Sequence, residues 1–310
     1  MYDFATVTEA PQETWVTAEY PEHDMSLAFT EGIDGDRSKP RRYLVNGEKW
    51  PSVTTILDKH TSRDGLSFWY ENIAIEGMIA IQQEAAAEFD PKTGHMPQMP
   101  ADLKAARRAL WMAGTTGEQI KNAAGLAGDV IHQALENWHV YQEIPSLAMV
   151  EESKRGKMQA LAAFLYDARP DLQSSEILVA SRRYRYAGRP DARLALYKPT
   201  IMPVQLTQDY DSVEPRVVPP GIYLADVKSG SKLHPETGIQ LALYEQACRE
   251  LGYQRTDGRF AIHLREDGTY AIRFFDQRLR TATKMVEFYY ANIEDNKRST
   301  ARNKRLVRAA

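Results

Sequence analysis

The spacing of apolar residues changes several times along this chain, and the order of those changes narrows the folds open to it. From about Ala101 the spacing is helical: Ile120, Ala124, Ala127, Ile131, Leu135 and Trp138 recur at steps of three and four, one apolar stripe. A second helical pattern covers roughly 151–168. The runs SEILVASRRYRY, GRPDARLALY and IYLADVKSG then read as strands, and PETGIQLALYEQACRELG returns to helix. RFAIHLRED and GTYAIRFF form a hairpin around Asp267-Gly268, and a last helix runs from about Gln277 to Ile293. This succession predicts an α/β chain: a mixed central β-sheet flanked by helices.

Before that core, Asn46-Gly47 between apolar runs marks a two-residue hairpin turn, and Ser52 stands at the N-cap of a helix over VTTILDKH. A long helix follows from about Leu66 to Phe89, and DPKTGHMPQMPAD reads as an exposed linker. The expected organisation is an N-terminal extension, 1–100, packing on a core of 101–296 with a basic C-terminal tail, 297–310. Within the core, 198–221 carries five prolines and reads as a loop inserted between paired strands, a substrate lid or a partner-binding arm.

With 310 residues, 43% hydrophobic and 26% charged, the chain can build a packed core. Charges interrupt every apolar stretch before the roughly 18 residues that a membrane helix needs, so no membrane partner is expected. The opening MYDFATVTEAPQETW lacks the basic and apolar segments of a secretory signal. One cysteine, Cys248, excludes an internal disulfide and a four-cysteine iron–sulfur or zinc site within the chain. Both features fit the cytoplasm. The net charge of −3 means that any nucleic acid must be held by local basic surface and by metal ions.

In a strand, residues two apart share a face, so Asp226 and Lys228 of IYLADVKSG emerge together. The pair is either a strand-end salt bridge or a metal ligand beside a lysine that stabilises charge on a phosphate. Asp191, in GRPDARLAL, is either a turn former or a second carboxylate for a hard cation. Glu176 precedes an apolar strand, where glutamate is usually solvated. Gly128, His132 and Glu136 lie on one helix face; Gly128 permits close approach of another element, and His132 is a structural histidine or points into a cleft. Gln240 and Tyr244 are four apart on the next helix, for packing or for orienting a substrate. Arg182, Arg183, Arg185 and Arg189, interleaved with Tyr184 and Tyr186, read as a solvated strand face or as a grip on phosphates and stacked bases. The tail KRSTARNKRLVR has six basic residues and no acidic one, for nucleic acid or for solubility.

In this order, the GxxxH helix, the Glu strand, the GxxD strand, the DxK strand and the QxxxY helix resemble the RecB-like exonuclease branch of the PD-(D/E)xK nucleases, over about 50–75 and 115–250. WPSVTTIL, with Phe68-Trp69 downstream, is similar to a segment of phage exonucleases and of the mitochondrial genome maintenance exonuclease. The resemblance implies a restriction-endonuclease-like core and a Mg²⁺- or Mn²⁺-dependent DNA exonuclease of recombination, repair or replication in a bacterial or phage-infected cell. It implies His132, Asp191, Asp226 and the Val227 carbonyl as metal ligands, Lys228 as the catalytic lysine, and Glu176, Gln240 and Tyr244 beside them. Ser52 and Thr54 fall where relatives contact DNA, and Arg182, Tyr184 and Arg189 extend that surface. The partners implied are single strands or DNA ends, with recombination or replication proteins. A structure-specific or restriction-type endonuclease and an inactive nucleic-acid-binding protein are the alternatives. The Asp191–Asp226 spacing exceeds the family's by about the length of 198–221.

Overall fold

A computed structural model describes residues 15–30, 42–60, 64–87, 100–207, 212–277 and 279–309. The chain divides into two compact units, one of 61–130 and one of 1–60 with 131–310. The larger unit opens with an antiparallel sheet of β1 (Val16–Tyr20), β2 (Met25–Thr30), β3 (Arg42–Val45) and β4 (Glu48–Trp50). Asn46 and Gly47 make the β3–β4 turn with φ of 48° and 78°, the two positive values that match the twist of a tight hairpin. Alternate residues Met25, Leu27 and Phe29 of β2 are buried against Tyr43 and Val45 of β3. Ser52 caps α1 (Val53–His60): its Oγ accepts the Thr55 N–H at 2.9 Å.

In the smaller unit, α2 (Asp64–Ala87) meets α3 (Leu103–Met112) where Gly77 has no side chain; a Cβ there would lie 2.7 Å from Leu110 Cδ2. Asp102 Oδ1 caps α3 by accepting the Ala105 N–H at 2.8 Å. Of the stripe expected on α4 (Gly117–Tyr141), Ile131 and Leu135 are buried, and the side chains of Ala124 and Ala127 lie outside the described residues. So do residues 90–99 of the expected linker.

The rest of the larger unit runs through α5 (Glu152–Ala168), β5 (Asp171–Ser175), β6 (Val179–Ser181), β7 (Tyr186–Gly188), β8 (Ala192–Leu196), β9 (Thr200–Gln205), β10 (Val213–Val218) and β11 (Gly221–Lys228). It ends with α6 (Glu236–Glu250), β12 (Gly258–Leu264), β13 (Tyr270–Phe274) and α7 (Leu279–Ala309). Seven strands form one mixed sheet in the order β10-β9-β13-β12-β11-β8-β5, parallel at β11–β12 and at β13–β9. The expected α/β architecture with a mixed, helix-flanked central sheet is therefore present. The parallel pair β11–β12 needs a crossover, which α6 supplies.

Strand alternation assigns the two faces of the sheet. Phe260 of β12 stacks edge-on with Phe164 of α5 at 6.5 Å, and Tyr223 of β11 lies on the same side, 5.5 Å from Phe260. Their neighbours Ala261 and Leu224 join the core formed by Leu241, Leu243 and Ala247 of α6. Truncating a side chain as buried as Phe164 or Leu241 costs about 2–5 kcal/mol. Asp226 and Lys228, two and four residues beyond Leu224, project on the α6 side.

Three expectations are corrected. The segment 198–221 does stand between two paired strands, β8 and β11, but its described residues are not a loop: β9 and β10 pair antiparallel, and β9 joins the central sheet beside β13. Pro203 and Pro215 stand opposite each other in that ladder, with β10 at the sheet edge, where absent N–H donors are tolerated. SEILVASRRYRY is not one strand, because Arg182–Arg185 form the β6–β7 turn, with Arg185 at φ 55°. The last helix continues past Ile293, its backbone helical through Ala309 over a stretch without Gly or Pro.

Candidate functional site

The site lies where β11 and β8 end their pairing. Their register sets Ala225 opposite Ala192, so Asp226 and Asp191 follow on adjacent strands. Asp191 is anchored by its Oδ2, which accepts the Val227 N–H at 2.6 Å. Its carbonyl accepts the Glu176 N–H and the Ser175 hydroxyl, each at 3.1 Å, which ties the end of β5 to the start of β8. Glu176 takes a left-handed backbone, φ 51°, and turns its carboxylate back towards α4. There His132 Nδ1 lies 2.9 Å from Glu176 Oε1 and 3.6 Å from Asp191 Oδ1. One donor atom from each of His132, Glu176 and Asp191 falls within 4.8 Å of the others, so the three can share a metal ion.

Asp226, 1% exposed, pairs one oxygen with Lys228 Nζ at 2.6 Å. Its other oxygen, Oδ1, is buried and meets no hydrogen-bond donor among the described residues. A buried carboxylate oxygen without a partner costs on the order of 1–3 kcal/mol or more. It is chemically suited to a cation. Lys228 Nζ also donates to Gln240 Oε1 at 3.3 Å, and Gln240 Nε2 donates to the Tyr244 hydroxyl at 3.2 Å. Gly188 makes room for Tyr244, since a Cβ there would lie 2.4 Å from its Cε1. At Gly128, by contrast, no described atom lies within 4 Å of a Cβ position, so the close approach expected there is not made among the described residues.

Three carboxylates, Glu176, Asp191 and Asp226, face two permanent cations, Lys228 and Arg189. The excess negative charge shapes the titration. The charge on Asp191 holds His132 up at about 9, against the burial that opposes its protonation. Burial pushes Asp226 up to about 6, with Lys228 pulling the other way and Asp191 adding repulsion. Burial also raises Asp191, partly offset by His132. For Lys228, burial opposes the charge, but Asp226 and Asp191 outweigh it and hold the ammonium above its ordinary value.

The fold thus gathers His132, Glu176, Asp191, Asp226, Val227, Lys228, Gln240 and Tyr244 into one cluster. Glu176 stands within the ligand group itself, joined to His132 and Asp191. Ser52 and Thr54 sit at the start of α1, their hydroxyls 2.9 Å apart, and Ser52 bridges to Ala187 of β7. Arg182, in the β6–β7 turn, donates to the His23 carbonyl at 2.7 Å, and Tyr184 packs on the core beneath Arg183. Arg189 points at the cluster, with Nη2 3.0 Å from Glu176 Oε2. Two contacts have no signal in the sequence: the fit of Gly188 to Tyr244, and Phe29 of the N-terminal sheet lying 4.6 Å beneath the Arg189 guanidinium. No protein-family model matches this chain, and no curated protein matches it.

Proposed function

We propose that this protein is a Mg²⁺- or Mn²⁺-dependent nuclease with a PD-(D/E)xK core, acting as a cytoplasmic exonuclease on DNA ends or single strands in recombination, repair or replication. The observation that carries this reading is Asp226, buried beside His132, Glu176 and Asp191 with one oxygen unpartnered among the described residues and the other paired with Lys228. His132, Glu176, Asp191 and Asp226, with the Val227 carbonyl at the same strand end, would hold the ion. A bound divalent cation supplies the Lewis acidity that phosphodiester hydrolysis requires. Lys228 offsets the negative charge that grows on the phosphate, from a side chain aimed by Asp226 and Gln240. Tyr244, seated on Gly188, keeps Gln240 in place.

The test uses end-labelled linear single strands, duplexes and closed circles with Mg²⁺ or Mn²⁺. Linear substrates are expected to be shortened from their ends, and Lys228→Ala to lose about 10²–10³-fold in rate. Cutting of closed circles identifies an endonuclease on the same core. Full activity in Lys228→Ala removes the assignment.

A further inference from the structure

Arg189 lies between β7 and β8, and its side chain is 19% exposed against 14% for Glu176. It grips Glu176 at two points: Nε donates to the Glu176 carbonyl at 3.3 Å, and Nη2 lies 3.0 Å from Oε2. The guanidinium face rests 4.6 Å over the ring of Phe29, itself 1% exposed and stacked on Tyr43 at 4.7 Å. Glu176 needs such a hold. Its φ of 51° is a left-handed backbone that a β-carbon disfavours. With Oε2 taken by Arg189, Oε1 is the oxygen turned to His132, 2.9 Å away, in the ligand group with Asp191.

We infer that Arg189 is a positioning residue, clamped on Phe29, that fixes the backbone of Glu176 and selects which of its oxygens faces the cation. This rests on the cation-binding reading proposed above. A plain electrostatic role predicts the opposite sign, because a guanidinium beside a cation site repels the cation, and its removal would tighten binding. Positioning predicts that removal loosens it, since Glu176 is then free to leave its left-handed conformation.

Mn²⁺ binding to the full chain, followed by electron paramagnetic resonance, separates the two. Arg189→Ala is expected to weaken Mn²⁺ binding about tenfold. Arg189→Lys, which keeps the charge but lacks the planar fork that places Nε on the carbonyl and Nη2 on the carboxylate, is expected to weaken it as well. In a Glu176→Gln background, Arg189→Ala should change nothing further. Phe29→Leu removes the ring beneath the guanidinium, keeps an apolar core residue, and should give a smaller loss in the same direction. Unchanged or tighter binding in Arg189→Ala, or an equal loss with and without the Glu176 carboxylate, overturns the inference. Absence of Mn²⁺ binding in the unaltered protein overturns the cation reading instead. The crystal structure of cation-free Arg189→Ala then decides this point: Glu176 Oε1 displaced from His132 supports positioning, and Oε1 still in place refutes it.

Discussion

Two histidines approach the C-terminal end of β11, and their surroundings shift their titration in opposite directions. His132, partly exposed on α4, faces Glu176 and Asp191 and is held up at about 9. His263, fully buried, is the register partner of Lys228 on β12; its ring nitrogens lie 3.2 Å from Gln205 Oε1 and 2.9 Å from the Gly230 carbonyl. Burial pushes His263 down, and Arg265 adds to that. Burial alone would lower both. Charge decides instead: His132 stands among carboxylates that outnumber the cations facing them, whereas His263 lies between neutral groups, and its contact with the Gly230 carbonyl pins the turn after Lys228 to the sheet. One histidine belongs to a cluster that could hold a cation and the other to the fold that supports it.

The largest expected effect tests the charged side of this contrast. On the proposed function, Asp226→Asn should cut nuclease activity by at least about a thousandfold, since it would remove a charged ligand and does remove the partner of Lys228. Its thermal unfolding midpoint without cation should not fall, because one oxygen of the carboxylate it replaces is buried with no donor among the described residues. A lowered midpoint with retained activity would make Asp226 a structural ion pair. Next comes the neutral side. His263→Ala should cost about 2–4 kcal/mol in urea unfolding by opening a cavity and removing the buried ring's hydrogen bond, whereas above about pH 9, where its charge is lost, His132→Ala costs about 1 kcal/mol or less. Equal losses would erase the distinction between the two.

The smallest effect is the pH dependence of the cation-free protein. His132 is raised above its ordinary 6.5, so its stabilising charge is present in full below that value and is lost as pH rises through about 9. Asp226 is raised from 3.8 to about 6, so the stability linked to its protonated form is lost as pH rises through about 6. Both run the same way. Stability should fall by about 1–2 kcal/mol between about pH 6.5 and 9, and urea titrations of His132→Ala should lose that slope. An unaltered slope in the variant would place the titration elsewhere.

Much of this was legible in the residues themselves. The two-residue parity that sets Asp226 and Lys228 on one face is a property of any strand, and the Asn46-Gly47 turn and the Ser52 cap follow from local backbone chemistry. The β9–β10 hairpin was hidden by its prolines, which read as turns until Pro203 meets Pro215 across the ladder. Glu176 reads as a solvated strand-edge acid because its place in the cluster goes with a left-handed backbone and a contact with Arg189, neither of which has a local signature.

By itself, then, the sequence determined the alternation of elements, the residues that share a face, and the supply of carboxylates, lysine and imidazole. Those follow from periods of 2 and about 3.6 and from side-chain chemistry, which act over a few residues. Tertiary structure decided which groups meet: Asp191 across from Asp226, Glu176 brought to His132 over 44 positions, and one oxygen of Asp226 left without a donor among the described residues. Those contacts depend on strand order and register, and register is settled by which faces bury together in the assembled core.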